Sequence, residues 1–417
     1  MKKYPFQEVS NLNTIGIKEN LLPFSLLIVI NLFVGSMVGL ERTILPLIGE
    51  EQFGIASASA ALSFIISFGF SKAIVNFFAG NLADRIGRRQ VLLIGWFIGL
   101  FVPLIIIFAQ FWWMIVFANI LLGINQGLTW SMTVNMKIDL SKKTQRGLAI
   151  GLNEFAGYIG VALFAMISGY TASNYSLRPE PFYIGIGIAV FGFLLSLVTT
   201  DTEKHIKNLK IDDVQTNNLK TVFWKTTWKD KNLSSASFAG LATNLKDGMA
   251  WGLFPLFFSS RGLSIGQIGL ITAIYPAAWG VFQLFTGALS DRIGRKWLIT
   301  VGMWLQAFSL WSLLFIDTYS LWIIGAALLG IGTAMVYPTL IASISDIVPS
   351  SWRATSTGIY RFWRDSGYVF GALMAGIISD RLNVSWAIGL VACLPLAAGM
   401  ITAMRMNETL RNTKENF

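Results

Sequence analysis

Nine ionisable residues stand inside otherwise apolar stretches of this sequence: Glu41, Arg42, Lys72, Glu154, Lys246, Asp247, Arg361, Arg364 and Asp365. A carboxyl in such surroundings can take up and release a proton or hold a cation, and a Lys or Arg can hold an anion. Glu41, Glu154, Asp247 and Asp365 are the candidate acids, with Asp247 and Glu154 foremost. The alternative is mutual neutralisation: Asp247 with Lys246 or Lys72, and Asp365 with Arg361, four residues back on one helix face. Lys246 and Asp247 are sequence neighbours, point in different directions, and need not pair with each other.

Buried amides need hydrogen-bond partners, so Asn31, Asn119, Asn125, Gln126, Asn135, Asn153, Asn244 and Gln283 add to the same chemistry. Asn125, Gln126 and Asn244 are placed either to contact a solute or to tie helices together. Trp130, Trp251, Tyr275, Tyr337 and Tyr360 are candidates to shape a pocket or to pack. GxSxG, HExxH, P-loop and cysteine-cluster patterns are missing, which argues against an enzyme. The single cysteine, Cys393, excludes an intrachain disulfide, and the single histidine, His205, lies in a charged stretch. No metal site and no cofactor are expected.

The elements that hold these residues must live in lipid. Of 417 residues, 54% are hydrophobic and only 13% charged, about half the charged share of soluble domains. A membrane-spanning helix needs about 20 apolar residues. Twelve segments qualify: 21–48, 57–80, 91–110, 112–136, 147–171, 181–199, 234–258, 265–287, 297–316, 319–345, 354–379 and 384–404. An all-α membrane protein is therefore expected. A charge at the bilayer centre costs roughly 2.5–3.5 kcal/mol on insertion scales, which is why the nine are informative. Asp247 and Asp365 fall near the middle of their segments.

The net charge of +10 is a topology signal rather than a nucleic-acid footprint. Of 32 Lys and Arg residues, 24 lie in the two tails and the even-to-odd loops, and five lie inside segments. Only Arg178, Arg261 and Arg381 lie in the opposite loops. This asymmetry is the positive-inside pattern and puts both termini in the cytoplasm of a cell-membrane protein.

The expected organisation is an N-terminal tail (1–20), six helices (21–199), a polar linker (200–233), six helices (234–404) and a C-terminal tail (405–417). The linker carries seven lysines, with Val222, Phe223, Trp224 and Trp228 spaced for an interfacial helix. Shifting the chain by 207 residues lays 57–151 over 264–358 without a gap. Asp84-Arg85-Ile86-Gly87-Arg88 meets Asp291-Arg292-Ile293-Gly294-Arg295, Asp139 meets Asp346 and Arg146 meets Arg353. The register then becomes 210, with Gly157-Tyr158 over Gly367-Tyr368. Two six-helix units in the same orientation are implied, related by an axis along the membrane normal.

Gly80-Asn81-Leu82-Ala83-Asp84-Arg85-Ile86-Gly87-Arg88-Arg89 resembles the signature loop G-x-L-x-D-R-x-G-R-[RK] of the major facilitator superfamily. Its second copy is Gly287-Ala288-Leu289-Ser290-Asp291-Arg292-Ile293-Gly294-Arg295-Lys296. The resemblance covers the whole chain in helix count, linker and repeat. It implies two pseudo-symmetric six-helix bundles that carry a small solute by alternating access. Helices 1, 2, 4, 5, 7, 8, 10 and 11 then face a central cavity; these eight carry all nine charges.

The loops would form a gate. Gly80 and Gly287 permit close helix contact, and Gly87 and Gly294 permit a tight turn. Asp84 is expected to meet residues near Thr355, and Asp291 the start of helix 5 near Leu148. Arg88 is expected to pair with Asp139, and Arg295 with Asp346, while Arg85 and Arg292 complete the motif. Helix 5 reads Gly151 to Gly160 without the proline and glycine pair of one antiporter subgroup. It and 358–368 resemble bacterial efflux members, including nickel-resistance proteins, but one histidine makes metal an unsuitable cargo. The leading expectation is proton-coupled export of a small organic or cationic compound by a monomer. The alternatives are proton-coupled uptake of an organic anion, with Lys72, Arg361 and Arg364 as counter-charges, and a non-transporting sensor.

Overall fold

The structure is a computed structural model. It describes residues 15–142, 145–202 and 219–410, apart from the side chains of Asn81, Asp84, Ser350, Ser351, Arg353 and Ala354. His205, most of the linker, and the side-chain contact expected of Asp84 lie outside the described residues.

Twelve helices of at least 19 residues run through the described chain. The first half comprises α1 (Leu21–Arg42), α2 (Ser63–Ile86), α3 (Arg88–Ile107), α4 (Trp112–Asp139), α5 (Arg146–Asn174) and α6 (Glu180–Val198). The second comprises α7 (Lys231–Ser260), α8 (Ile265–Ile293), α9 (Lys296–Phe315), α10 (Tyr319–Ile347), α11 (Ser350–Arg381) and α12 (Val384–Arg405). Ten are long and apolar enough to cross a membrane. The two that fall short, α7 and α11, hold five of the nine inner charges, so the charges themselves depress the hydropathy of these helices. Large apolar side chains face outward on the lipid-facing helices, among them Phe97, Phe191, Phe308 and Trp386. Such a surface is unstable in water and at ease in lipid.

Local chemistry sets the helix limits. Ser264 and Gln267 form a reciprocal cap at the start of α8, and Asp230 accepts from the amides of Asn232 and Leu233 at the start of α7. Gly87 and Gly294 take φ of +94° and +99°, a region that disfavours any Cβ, and each turns the chain sharply into the next helix. Pro46 does not bend a helix interior. It opens a short helix, Leu45–Glu51, after α1 breaks at Thr43, and there its missing N–H costs nothing. Pro255, Pro276 and Pro338 do lie inside helices. At the linker's end a short helix, Leu219–Trp224, runs into a π-turn, Lys225–Lys229, whose Thr226 and Thr227 bond Ser356 and Trp363 of α11.

The repeat is visible in detail. Arg88 pairs with Asp139, and Arg295 pairs with Asp346 at 3.1 Å. Thr202 donates to Asp139 at 2.8 Å and Thr409 to Asp346 at 3.4 Å, again 207 residues apart. The halves meet chiefly along α2 against α11 and α5 against α8, a symmetric pair of seams.

Candidate functional site

A narrow polar cavity lies between the halves. It is built by α2, α4 and α5 from one half and α7, α10 and α11 from the other. Lys72, Glu154, Asn244, Arg361, Arg364 and Asp365 line it, together with Asn76, Trp130, Tyr158, Tyr337 and Tyr368.

Its two acids differ. Asp365 is fully buried and saturated. Arg364 donates to it at 2.6 and 2.8 Å, Asn76 at 2.6 Å and Asn244 at 3.5 Å. Its partner is therefore its sequence neighbour Arg364 and not Arg361, because the long arginine side chain curls back along the helix. Arg364 also donates to the Tyr337 hydroxyl. Glu154 has only neutral donors: Trp130 Nε1 at 2.8 Å and Asn153 Nδ2 at 3.1 Å, both to Oε1, while Oε2 has no partner.

The cations also differ. Lys72 meets the rings of Phe68, Trp130 and Tyr368 at 5.3, 5.6 and 5.5 Å. No carboxylate among the described residues forms an ion pair with Lys72 or Arg361, and Arg361 Nε lacks any partner. The lining thus carries three cations against two acids.

Several candidates lie elsewhere. Asp247 pairs with Arg42 of the other half at 2.5 Å and accepts from Tyr368 at 2.7 Å, not from Lys246 or Lys72. Lys246 turns away to Tyr275 and to Thr333, at 2.9 Å from the latter. Glu41 is buried outside the lining, with Oε2 unpartnered. Asn125 is spent on the carbonyl of Gly95 at 2.8 Å, and Gln126 on that of Val34 at 2.8 Å. They tie α4 to α3 and α1, since an unpaired carbonyl and amide are costly in the interior. Trp251 and Tyr275 stand over Arg42 rather than in the cavity.

Sequence reasoning missed Asn76, Tyr158 and Lys137. Asn76 is one turn beyond Lys72, and Tyr158 is the repeat partner of Tyr368, so both left a signal. Lys137, expected in a loop, lies fully buried in the last turn of α4 and donates to Asn153 Oδ1 at 2.5 Å.

The cavity is closed at the end away from the signature loops. A Cβ added to Gly169 of α5 would stand 2.8 Å from Gly269 Cα of α8. One added to Gly376 of α11 would stand 2.7 Å from Ser59 Cα. Asp380 accepts from Ser57 at 2.9 Å, from the Ala58 amide at 2.6 Å and from Ser59. At the loop end, a Cβ on Gly80, Gly147, Gly151, Gly287 or Gly358 would meet nothing within 4 Å among the described residues. The close contact expected of Gly80 and Gly287 is therefore not made in this arrangement. Asp291 likewise does not reach Leu148. It is 63% exposed and pairs at 2.6 Å with Arg295, just past the Gly294 turn of its own loop. Arg85 and Arg292 are exposed. Among the described residues, the glycine-bearing helix surfaces at the loop end are therefore apart.

The model of the Major Facilitator Superfamily matches residues 24–245 and again 236–416. This chain belongs to the Major Facilitator Superfamily. It is a transporter of that superfamily, and not an enzyme. Multidrug resistance protein MdtG of Citrobacter koseri is 25% identical over 399 residues, 92% of this chain and 93% of that protein. A probable 4-methylmuconolactone transporter of Cupriavidus pinatubonensis is 26% identical over 360 residues, 83% of this chain and 81% of that protein. The crystal structure of the nucleoside transporter NupG superposes with a TM-score of 0.74 at 14% identity, covering 92% of this chain and all of that one. At that identity NupG shows the shared fold alone.

Proposed function

We propose that this superfamily member moves a small organic solute bearing an acidic group through the central cavity by alternating access, coupled to protons at Glu154. The observation that carries the reading is the charge balance of the lining: three cations face two acids, and among the described residues Lys72, Arg361 and Glu154 each make no ion pair. An uncompensated cation in a low-dielectric site gains from an anionic ligand. A proton taken up by Glu154 removes the one uncompensated negative charge, so anion and proton favour each other's binding. That linkage is symport, and with an inward proton gradient it drives uptake. The Lys and Arg bias supports a cytoplasmic loop end and cytoplasmic termini, and on that reading the cavity opens inward. One chain holds both walls of the cavity, which fits a monomer.

A second reading is proton-coupled export of an organic or cationic compound, favoured by the multidrug resistance name of MdtG. There the cation and the proton compete for the free Glu154 oxygen. Transport in proteoliposomes, with and without an imposed proton gradient, tests both. Gradient-driven accumulation is expected in the wild type, and Glu154→Gln is expected to abolish its dependence on the gradient. Unchanged gradient dependence in both Glu154→Gln and Asp247→Asn would sink acid-based coupling. Solute bound but never accumulated would indicate a sensor. Deletion that sensitises cells to a toxic compound would favour export over uptake.

A further inference from the structure

The repeat register exposes two aromatic boxes with different centres. In one, the indole of Trp279 stands among Tyr275 at 6.0 Å, Tyr337 at 5.4 Å and Tyr158, stacked at 3.6 Å. Moving each position by the repeat shift of 207, or 210 beyond the three-residue insertion, turns Tyr275 into Phe68, Tyr337 into Trp130 and Tyr158 into Tyr368. These are the three rings around Lys72, at 5.3, 5.6 and 5.5 Å. The same shift turns Trp279 into Lys72 itself. The pseudo-twofold has therefore preserved the box twice, filling it with an indole in one half and with a tethered ammonium in the other.

Several aromatic faces around a cation are the arrangement by which proteins hold alkylammonium ligands, since each ring's negative face attracts the charge. In this chain its own lysine holds that place. The box is thereby shut to an organic cation by occupancy and by like charge. The ammonium retains N–H donors: Asp365 across the cavity is already saturated by Arg364 and Asn76, and Glu154 in the same lining forms no ion pair with Lys72.

We propose that Lys72 is the charge-selectivity residue of the cavity: it anchors an acidic group of the solute and keeps organic cations out of the box its three aromatic neighbours form. This rests on the reading that the central cavity is the solute site. The equivalent place in the second half is taken by Trp279, which is buried outside the lining with Lys246 Nζ 5.7 Å from its ring, so of the two boxes only the one around Lys72 presents an ammonium to the cavity.

The test uses the full chain in lipid nanodiscs and two probes of near-equal shape, phenylacetate and phenethylammonium, with phenylacetamide as the neutral reference. The deciding quantity is the ratio of the affinity for the acid to that for the amine, read by quenching of tryptophan fluorescence and confirmed by calorimetry. In Lys72→Ala the ratio is expected to fall by at least about tenfold relative to wild type, with Lys72→Arg retaining most of it. Trp279→Phe should leave the ratio unchanged. A ratio unmoved in a Lys72→Ala protein that melts and elutes as the wild type does would overturn the proposal. So would a wild type that prefers the amine, or a failure of every variant to bind either probe. Proteoliposomes separate this idea from the wider one. A Lys72-dependent ratio without gradient-driven accumulation sinks the coupling reading and leaves Lys72's role intact. Gradient-driven transport with unaltered selectivity in Lys72→Ala does the reverse.

Discussion

The two ends of the seam between the halves use the same four helices and are built in opposite ways. At the closed end, α5 meets α8 through Gly169 and Gly269, α11 meets the start of the second segment through Gly376 and Ser59, and Asp380 gathers four backbone and hydroxyl donors. Deeper on that side, Arg42 and Asp247 join the halves in a fully buried ion pair. At the loop end the glycines of the same helices face open space. The difference teaches where the free energy of this state resides. One end is held by tight backbone contact and buried charge, and the other is kept ready to form equivalent contacts once it closes.

Four substitutions sharpen the comparison. The largest effect is expected at the buried pair. Asp247→Ala leaves Arg42 buried without a counter-charge and should cost about 3–5 kcal/mol, read as a lowered midpoint of unfolding in detergent. The double change Arg42→Met with Asp247→Leu should recover much of that loss, because the uncompensated charge goes too. Next, Gly169→Ala forces a methyl against Gly269 Cα and should cost about 1–3 kcal/mol through overpacking. A labelled cysteine at the closed end should then become more accessible. Were stability and labelling both unchanged, the tight seam would not be what holds this end.

Asp380→Ala removes an exposed acceptor of several hydrogen bonds and should cost about 1 kcal/mol, with faster hydrogen exchange at Ala58 and Ser59. The smallest effect carries the opposite sign. Gly151→Ala meets nothing in this state and restricts the unfolded chain, so it should stabilise by about 0.5–1 kcal/mol. Transport should nevertheless slow, because closure of the loop end would bring that methyl against a neighbour. A Gly151→Ala protein that is stabilised and transports at the wild-type rate would show that this end closes without helix contact there.

The asymmetry of the aromatic boxes was partly legible beforehand. Lys72 stood out as a charge in an apolar stretch, and the repeat already paired Tyr158 with Tyr368. What could not be read was that Phe68, Trp130 and Tyr368 converge on Lys72 from three helices and both halves. Distances along a helix follow from the rise per residue, whereas the direction a side chain points depends on how each helix is rotated against its neighbours.

The primary sequence by itself determined the apolar segments, the duplicated unit and the glycine turns at Gly87 and Gly294, because length in lipid, register and positive φ are local requirements. It also marked which helices carry charge. The tertiary structure alone decided which charges neutralise one another. Asp247 found Arg42, 205 residues away, and Asp365 found Asn76, 289 residues away, along with its neighbour Arg364. It also consumed Asn125 and Gln126 on backbone carbonyls and drew Lys137 inside α4. The physical reason is that a buried polar group takes whichever partner packing brings within about 3 Å. In a bundle of twelve helices that partner is seldom a neighbour in the chain.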